Sequence, residues 1–426
     1  MPKTPFDYEL ALSYAHKDED IAAIISEELK NIFQDKFFKD SIQQHELADA
    51  LDFKNKLRSI FARAHYAVIL YSPNYQKGEF TQVELKKIID LCSSEADRRF
   101  FIININDTSP EGTPISELTY NLITLPGKLS SLTAEEKSHL KEQIKEIVHA
   151  RIKKYIIRRT LDGSADSYGI SVRTLFAEGN TPIWEPQYNW NLFTTEFVNA
   201  ESRTLKPEYT WDDLWNYVKT DFNTIYEHIR ISGQRIKCTI NLNCHLSIAF
   251  KLGLLYGQLN SPFSQYRNLV LVSGKGHCFT FSENRIPTQS ETAAFIKEEK
   301  CGNDPGADSI VCTVSASLNG RDLSSLWQTQ EKSIEKGNIS CKKRFLFHRA
   351  GNIENADLLE QIVDSLAEQL TAARADEYAE NIHLFLDAPA VLAFVLGNHK
   401  VFPGKVILYE YDQKQDRYYQ SLERND

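Results

Sequence analysis

Length, composition and charge limit what this chain can be. It has 426 residues, a length at which a single hydrophobic core usually splits, so two or more domains are expected. Hydrophobic residues make up 42% and charged residues 25%, which is typical of globular domains and excludes global disorder. A net charge of -9 argues against binding to polymeric DNA or RNA, which requires an extended basic surface, but is compatible with a small anionic ligand.

The cysteines and the N-terminal residues bear on cellular location. The seven cysteines are scattered without a CxxC pair, a pattern typical neither of a disulfide framework nor of a zinc site. The opening MPKTPFDYEL lacks the layout of a signal peptide, and runs such as HYAVILY are far shorter than the ~20 apolar residues that span a bilayer. We therefore expect a cytoplasmic protein with no metal site.

The first 105 residues alternate strand-like and helix-like segments. Near-continuous apolar strands are typical of buried parallel sheets, and the pattern predicts a small doubly wound α/β domain whose ligands bind beyond the C-terminal ends of the strands. The predicted strands are YELALSYA, KFFKD, HYAVILYS and RFFIININ, and the predicted helices are DEDIAAIISEELKNIF, FKNKLRSIFARA (with Phe53, Leu57, Ile60, Phe61 and Ala64 on one stripe) and FTQVELKKIIDLC.

The charged stretch from Thr133 to Arg159 is predicted to be a helix, because its acidic start and basic end match the helix dipole. This helix closes the first domain. The following LDGSADSYG has the Gly, Ser and Asp content of a linker. We therefore predict a first domain over 1–158, a linker over 159–170 and a second domain over 171–426.

The second domain contains an internal repeat. Each copy has a strand, a polar or proline-containing turn, an apolar helix with a Leu-Gly pair, and another strand. The Leu-Gly pairs are Leu252-Gly253 in IKCTINLNCHLSIAFKLGLLYG and Leu396-Gly397 in NIHLFLDAPAVLAFVLGNHKVFPG. Two α/β halves with equivalent clefts at the strand ends are predicted.

The N-terminal order of elements resembles a Toll/interleukin-1 receptor (TIR) domain over about the first 130 residues. The resemblance is carried by DYELALSYAHKDED, HYAVILYSPNY and VELKKI. It implies a flavodoxin-like fold and a catalytic glutamate, Glu84, near the start of the third helix, which cleaves the N-glycosidic bond of NAD+. An ordinary glutamate on a helix surface is the alternative interpretation of Glu84.

The chemistry of this reaction suits a carboxylate. Loss of nicotinamide leaves an oxocarbenium-like ribosyl centre, whose positive charge a neighbouring carboxylate can stabilise. The resemblance also implies NAD-binding groups at strand ends, for each of which a plain turn residue is the alternative. They are Ser13, Tyr14, Lys39, Asp40, Tyr71 and Ser72. The loop SIQQHELADA lacks the proline or glycine found there in many TIR domains.

The C-terminal part resembles the SAVED sensor domain, which consists of two fused CARF-like units and binds cyclic oligonucleotides. The best carrier is HLFLDAPAVLAFVLGNHKVFPGKVILYEYD. Candidate ligand contacts again lie at predicted strand ends, where exposed N–H groups and cations suit a phosphate, although each residue could equally be an ordinary loop residue. They are Asn243, Cys244, His245, Ser273, Gly274, Lys275, His277, His348, Arg349, Asp387, Ala388 and Pro389.

Together the two resemblances are those of the TIR-SAVED effectors of bacterial antiphage (CBASS) signalling. They imply a hydrolase in which a cyclic tri-adenylate-like activator drives head-to-tail assembly into filaments, and NAD+ depletion then causes abortive infection. NAD+ is then the substrate and no cofactor is expected. A non-catalytic TIR adaptor is the alternative function, and the sequence leaves open the ring size and bases of the activator and whether the product is ADP-ribose or a cyclised form.

Overall fold

The chain divides into two compact units, Met1–Arg159 and Thr160–Asp426, which are described separately. The computed structural model describes residues 8–33, 37–39, 60–61, 63–78, 81–82, 84–86, 89, 100–105, 121–124, 133–153, 155, 167–175, 188–193, 197–199, 204–231, 237–259, 269–273, 277–281, 295–316, 322–374, 379–402 and 404–424.

The first unit is built on a five-stranded parallel sheet. The strands follow the order β2-β1-β3-β4-β5, which is that of flavodoxin-like doubly wound folds and confirms the predicted fold class. The elements are β1 (Tyr8–Ser13), α1 (Glu19–Phe33), β2 (Phe37–Phe38), β3 (Ala64–Tyr71), α2 (Pro73–Lys77), β4 (Phe100–Asn104), β5 (Asn121–Thr124) and α3 (Ala134–Ile147).

Capping side chains explain where the helices of this unit begin. Ser72 accepts the Tyr75 N–H at the start of α2, and Pro73 occupies the first helical position, where its missing N–H costs nothing. Thr133 and Glu136 form a reciprocal capping box at the start of α3. The helix continues as a π-helical stretch over Val148–Lys153.

One predicted residue of this unit belongs to a different element. Ala64 was predicted on the stripe of a helix, but it is the first residue of β3 and pairs with Tyr8 of β1. The residues before it, 60–61 and 63, are helical. The prediction was wrong because alanine suits both structures and the helix meets the strand without a breaker residue between them.

The second unit contains two sheets. In the first sheet, of order β10-β9-β8-β6-β7, only β10 is antiparallel to its neighbour. Its elements are β6 (Ser167–Arg173), β7 (Tyr188–Phe193), α4 (Trp211–Ile231), β8 (Lys237–Asn243), α5 (Leu246–Leu259), β9 (Leu269–Ser273) and β10 (Cys278–Thr280). The start of β6 lies inside the predicted linker. The sequence indicated a linker there because Ser167 and Gly169, like Ser171 after them, are small or polar residues at alternate positions of the strand.

The second sheet has the order β11-β13-β12-β14-β15-β16, with antiparallel strands at both edges. Its elements are β11 (Ile296–Cys301), β12 (Ser309–Ser315), α6 (Leu323–Gly337), β13 (Lys343–His348), α7 (Ala356–Arg374), β14 (Asn381–Asp387), α8 (Ala390–Asn398), β15 (Lys405–Asp412) and β16 (Arg417–Arg424).

The two sheets repeat one topology, which confirms the predicted internal repeat and extends it. Strands β7-β6-β8-β9-β10 of the first sheet correspond in order and direction to β13-β12-β14-β15-β16 of the second, and β11 is an addition at the edge. The equivalent turns also match: the N–H of Thr174 donates to Asn243 O at 3.1 Å, and that of Ala316 donates to Asp387 O at 2.9 Å.

The repeats pack against each other through the equivalent helices α5 and α8. A Cβ atom on Gly253 would lie 1.8 Å from the carbonyl oxygen of Phe394, and one on Gly397 would lie 2.0 Å from that of Phe250. The contact is reciprocal, because each glycine lies three residues after the phenylalanine that meets the other glycine. The Leu-Gly pairs of the repeat therefore lie where the two helix backbones approach each other closely.

Candidate functional site

The C-terminal ends of the strands in the first unit bring most of the predicted NAD-binding residues together. Ser13 ends β1, Tyr71 ends β3 and Ser72 follows it, while Lys39 comes directly after β2. The strands are parallel neighbours, so these residues share one edge of the sheet. Asp40 lies outside the described residues.

Glu84 is joined to this edge by a hydrogen bond. It lies in a helical stretch that includes 81–82 and 84–86, and its Oε2 accepts the hydroxyl of Ser13. Glu84 is only 7% exposed, so its side chain is buried instead of facing solvent. A buried carboxylate beside strand ends is an arrangement that can stabilise a developing positive charge in a bound substrate.

Tyr75 of α2 also reaches Ser13. Its hydroxyl lies 2.7 Å from Ser13 Oγ, and the residue is fully buried. Burial, and secondarily the negative charge of Glu84, raises the pKa of Tyr75 well above its ordinary value, so the hydroxyl stays protonated.

A second buried carboxylate, Asp18, holds the turn after β3. Ser72 Oγ donates to Asp18 Oδ2 at 2.5 Å, and Asn74 Nδ2 donates to Asp18 Oδ1 at 2.7 Å. Ser72 in turn accepts the Tyr75 N–H at 3.0 Å. The predicted NAD contact Ser72 therefore also links Asp18 to α2, together with Asn74.

Lys39 and Tyr14 meet at Glu19. Lys39 Nζ donates to Glu19 Oε1 at 2.8 Å and lies 5.2 Å from the centroid of the Tyr14 ring, whose hydroxyl donates to Glu19 Oε2 at 2.5 Å. Partial burial raises the pKa of Glu19, but the hydrogen bonds from Lys39 and Tyr14 outweigh it and the net pKa is lowered. The Lys39 ammonium is thus placed at the edge of the sheet as half of an ion pair.

In the first sheet of the second unit, the predicted ligand residues surround the start of α5. His245 Nδ1 lies 2.7 Å from Thr174 Oγ1, the His245 N–H donates to the same oxygen at 2.7 Å, and Trp211 packs edge-on against the imidazole at 5.0 Å. Asn243 ends β8, and the side chain of Cys244 is buried.

The turn after β9 carries the next predicted contacts. Ser273 and His277 exchange hydrogen bonds: the Ser273 N–H donates to His277 O at 3.0 Å, and the His277 N–H donates to Ser273 Oγ at 3.2 Å. His277 is exposed. Gly274 and Lys275 lie outside the described residues.

In the second sheet, Ser315 lies between two predicted ligand residues. It is the register partner of His348 on one side and of Asp387 on the other, and its hydroxyl donates to Asp387 Oδ2 at 3.2 Å. Arg349 follows His348 and its guanidinium donates to the carbonyl oxygens of Gly351 at 3.1 Å and Asn352 at 3.4 Å. Burial lowers the pKa of Arg349.

The remaining predicted residues lie at the start of α8. Ala388 is half-buried, and Pro389 is the residue before the first turn of the helix, where no side chain caps it. At the equivalent helix α5, the carboxylate of Glu410 accepts both the N–H and the hydroxyl of Ser247, at 2.7 and 2.5 Å. The two helix starts therefore differ in charge environment.

Sequence reasoning missed several residues of these clusters. Tyr75 stands in the quoted segment HYAVILYSPNY, and Ser72 followed by Pro73 is the signal of a helix start that would have placed Tyr75 in its first turn. Ser315 ends an apolar strand and carries the same signal as the strand ends that were selected.

Comparison with known families matches both parts of the chain. Residues 10–134 match the model of the TIR domain, and residues 225–423 match that of SAVED, described as the "SMODS-associated and fused to various effectors sensor domain". The chain therefore combines a TIR domain with a SAVED domain. Within the part of the chain that the structure describes, no helix of either unit is long and apolar enough to cross a membrane.

The curated relatives carry the name CD-NTase-associated protein 4. The chain is 24% identical over 244 residues to the protein of Enterobacter hormaechei subsp. hoffmannii and 25% identical over 236 residues to that of an Acinetobacter species, covering 57% and 55% of this chain. The matched segments span 45% and 46% of those relatives, so the chain accounts for about half of their length.

Solved structures of Cap4 SAVED/CARF-domain containing receptors are also similar. The receptor of Acinetobacter baumannii with the cyclic trinucleotide 3'3'3'-cAAA matches with 17% identity and a TM-score of 0.44, over 100% of this chain and 82% of that one. The receptor of Moraxella osloensis matches with 16% identity and a TM-score of 0.37, over 88% and 86%.

Proposed function

We propose that the TIR domain is an NAD+ glycohydrolase that is activated when the SAVED domain binds a cyclic oligonucleotide. The observation that carries the catalytic part is the buried carboxylate of Glu84, held by Ser13 at the C-terminal edge of the parallel sheet. This edge is where doubly wound folds bind nucleotides.

In the proposed reaction, the bond between C1′ of the ribose and the nicotinamide nitrogen breaks, and nicotinamide leaves with the electron pair. A water oxygen then bonds to C1′ and a proton is released, which gives ADP-ribose; attack by another group of the substrate gives a cyclised product instead. The Glu84 carboxylate stabilises the positive ribosyl centre, and water exclusion at a buried site strengthens this interaction.

Exchange of Glu84 for glutamine tests the catalytic assignment. Glu84→Gln removes the charge but keeps the shape, so nicotinamide release should fall by at least about 100-fold, as for other losses of electrostatic stabilisation, while activator binding is retained. Glu142→Gln is a matched control, because Glu142 is an exposed residue of α3. Wild-type turnover by Glu84→Gln would contradict the assignment, and absence of turnover in the activated wild type would favour a TIR adaptor.

For the sensor, we propose that the cyclic oligonucleotide binds at the C-terminal strand ends of the two repeats. Support comes from the polar and basic groups gathered there, which are His245 in the first sheet and the neighbouring Asp387, Ser315 and His348 in the second. It also comes from the match of residues 225–423 to the model of the SAVED sensor domain. Calorimetric titration with cyclic trinucleotides tests this site. We expect His348→Ala to weaken binding at least about tenfold, and Lys332→Ala, an exposed change on α6, to leave binding intact.

We further propose that the ligand activates the enzyme by joining copies of the chain head to tail. The two repeats share a topology but differ in side chains, so one copy can present its first repeat to a ligand held by the second repeat of another copy. Such heterologous contacts propagate into filaments unless they close a ring, and they raise the local concentration of TIR domains. Light scattering with and without activator tests this, and a fully active monomer would rule it out.

A further inference from the structure

The hydroxyl of Tyr75 and that of Ser13 form a hydrogen-bond chain that ends on Glu84. Ser13 has a single hydroxyl proton, which it donates to Glu84 Oε2. The remaining bond, 2.7 Å between Ser13 Oγ and the Tyr75 hydroxyl, must therefore use the tyrosine proton. With Glu84 ionised, the chain therefore runs from Tyr75 through Ser13 to the carboxylate.

All three residues are removed from water. Tyr75 is 0%, Ser13 1% and Glu84 7% exposed. A carboxylate in such surroundings needs hydrogen-bond donors to remain ionised, and bonds to an ionised acceptor are stronger than bonds between neutral groups. Because the tyrosine hydroxyl stays protonated, it is a permanent donor to Ser13.

The backbone around Tyr75 holds its side chain in place. Its N–H donates to Ser72 Oγ at 3.0 Å, and its carbonyl oxygen accepts the hydroxyl of Thr81 at 2.6 Å. The Thr81 bond joins α2 to the helical stretch that carries Glu84. The aromatic ring packs against that of Tyr71 with centroids 5.9 Å apart.

We propose that Tyr75 and Ser13 are positioning residues that keep the Glu84 carboxylate ionised and oriented, and that Ser13 acts through Glu84 instead of binding NAD+ itself. This inference rests on the proposed function for its catalytic consequence. It assigns a role to Tyr75 and changes the role that the family resemblance implies for Ser13.

A double-mutant cycle separates this role from direct substrate binding. The variants are Tyr75→Phe, Ser13→Ala and the double variant, assayed as activated full-length protein for nicotinamide release across pH. We expect Tyr75→Phe to lower kcat about tenfold, the effect of one lost hydrogen bond, with KM nearly unchanged. The double variant should be no slower than Ser13→Ala, because both changes remove one chain.

The pH profile provides a readout that a purely structural role would not move. Losing either hydroxyl of the chain that ends on the ionised carboxylate favours the protonated form of Glu84, so the acid limb of the kcat profile should move to higher pH in Tyr75→Phe and Ser13→Ala. Titratable groups that face Glu84 include Tyr75 from α2 and, behind it, Tyr71 from β3, while Asp18 is linked to α2 through Ser72 and Asn74. Additive effects, or a raised KM with an unchanged pH profile, would overturn the proposal.

Tyr66→Phe is the matched control. Tyr66 is a buried residue of β3, and this variant removes its hydroxyl. Because side chains alternate along a strand, Tyr66 lies on the face of the sheet opposite Tyr71. We expect this variant to keep the wild-type pH profile.

A titration that does not depend on activity keeps this test separate from that of the proposed function. Carbon-13 NMR of glutamate-labelled protein, with Glu84→Gln used for assignment, follows the Glu84 carboxyl directly. Its titration midpoint should rise in both single variants. An unchanged midpoint would refute the hydrogen-bond chain even in an active enzyme, whereas a raised midpoint in a protein that releases no nicotinamide would refute only the proposed reaction.

Discussion

Because α5 and α8 approach each other closely, we predict that alanine in place of Gly397 destabilises the second unit. In Gly397→Ala the new Cβ would lie 2.0 Å from Phe250 O and 2.9 Å from Phe250 C, far inside van der Waals contact. Both atoms belong to the backbone of α5, so no side chain can rotate away and the helices must separate. Gly253→Ala meets Phe394 O at 1.8 Å and should behave in the same way.

The expected cost follows from two opposing effects. Overpacking in a close-packed core costs about 3 kcal/mol at the upper end of its usual range, while alanine in a helix gains about 1 kcal/mol over glycine. A net loss of about 2 kcal/mol in the free energy of unfolding corresponds to a fall in Tm of about 4–8 °C for a unit of this size.

Differential scanning calorimetry of the full chain measures this fall. Gly337→Ala is the control, because its Cβ would meet only the Ile339 side chain, at 3.3 Å, and this change should leave Tm nearly constant. A Gly397→Ala protein that melts at or above the wild-type temperature would refute the inferred backbone contact between the two repeats.

Three further predictions concern stability and autonomy. Glu410→Ala leaves the buried Ser247 N–H and hydroxyl without their acceptor and should cost about 2–3 kcal/mol in urea unfolding. Glu410→Gln keeps an acceptor and should cost less, and equal losses in the two variants would contradict the role of the acceptor. Burial lowers the pKa of His383 to about 4, so the imidazole binds a proton more tightly in the unfolded chain than in the folded one. The free energy of unfolding should therefore be fully present above pH 6.5 and fall by about 3 kcal/mol towards pH 4. In unfolding measured across pH, His383→Asn should flatten this dependence. A fragment of residues 1–159 should unfold cooperatively yet release nicotinamide slowly with or without cyclic oligonucleotide, because it lacks the SAVED domain; strong turnover by the fragment alone would argue against activation by assembly.

The sequence predicts best where hydrophobic patterning alone determines an element. Strands β3 and β4 are near-continuous apolar runs, and the structure buries them in the centre of the sheet. Strand β6 alternates serine and glycine with apolar residues, which is a strand signal, but its start was assigned to the linker because of the Gly, Ser and Asp residues around it. Strand β11 was not predicted, because it is largely charged and exposed and shows no such alternation.

Side-chain contacts were predicted only in part. The family resemblance selected Ser13 and Glu84, which the structure joins by a hydrogen bond. It did not select Tyr75, whose hydroxyl meets a residue 62 positions away in the sequence. Likewise the repeated Leu-Gly pairs are visible in the sequence, but only the packing of α5 on α8 explains why glycine is needed there.

The edge strand β11 bears on how the protein avoids aggregation. An unpaired strand edge is a template for uncontrolled pairing with other chains, and natural proteins commonly blunt it with charge. Four consecutive charged residues, Lys297, Glu298, Glu299 and Lys300, occupy the middle of β11 and are mostly exposed. Neutral β-forming residues at these positions would make the exposed edge prone to pairing with other chains, so the charges of β11 help to prevent aggregation.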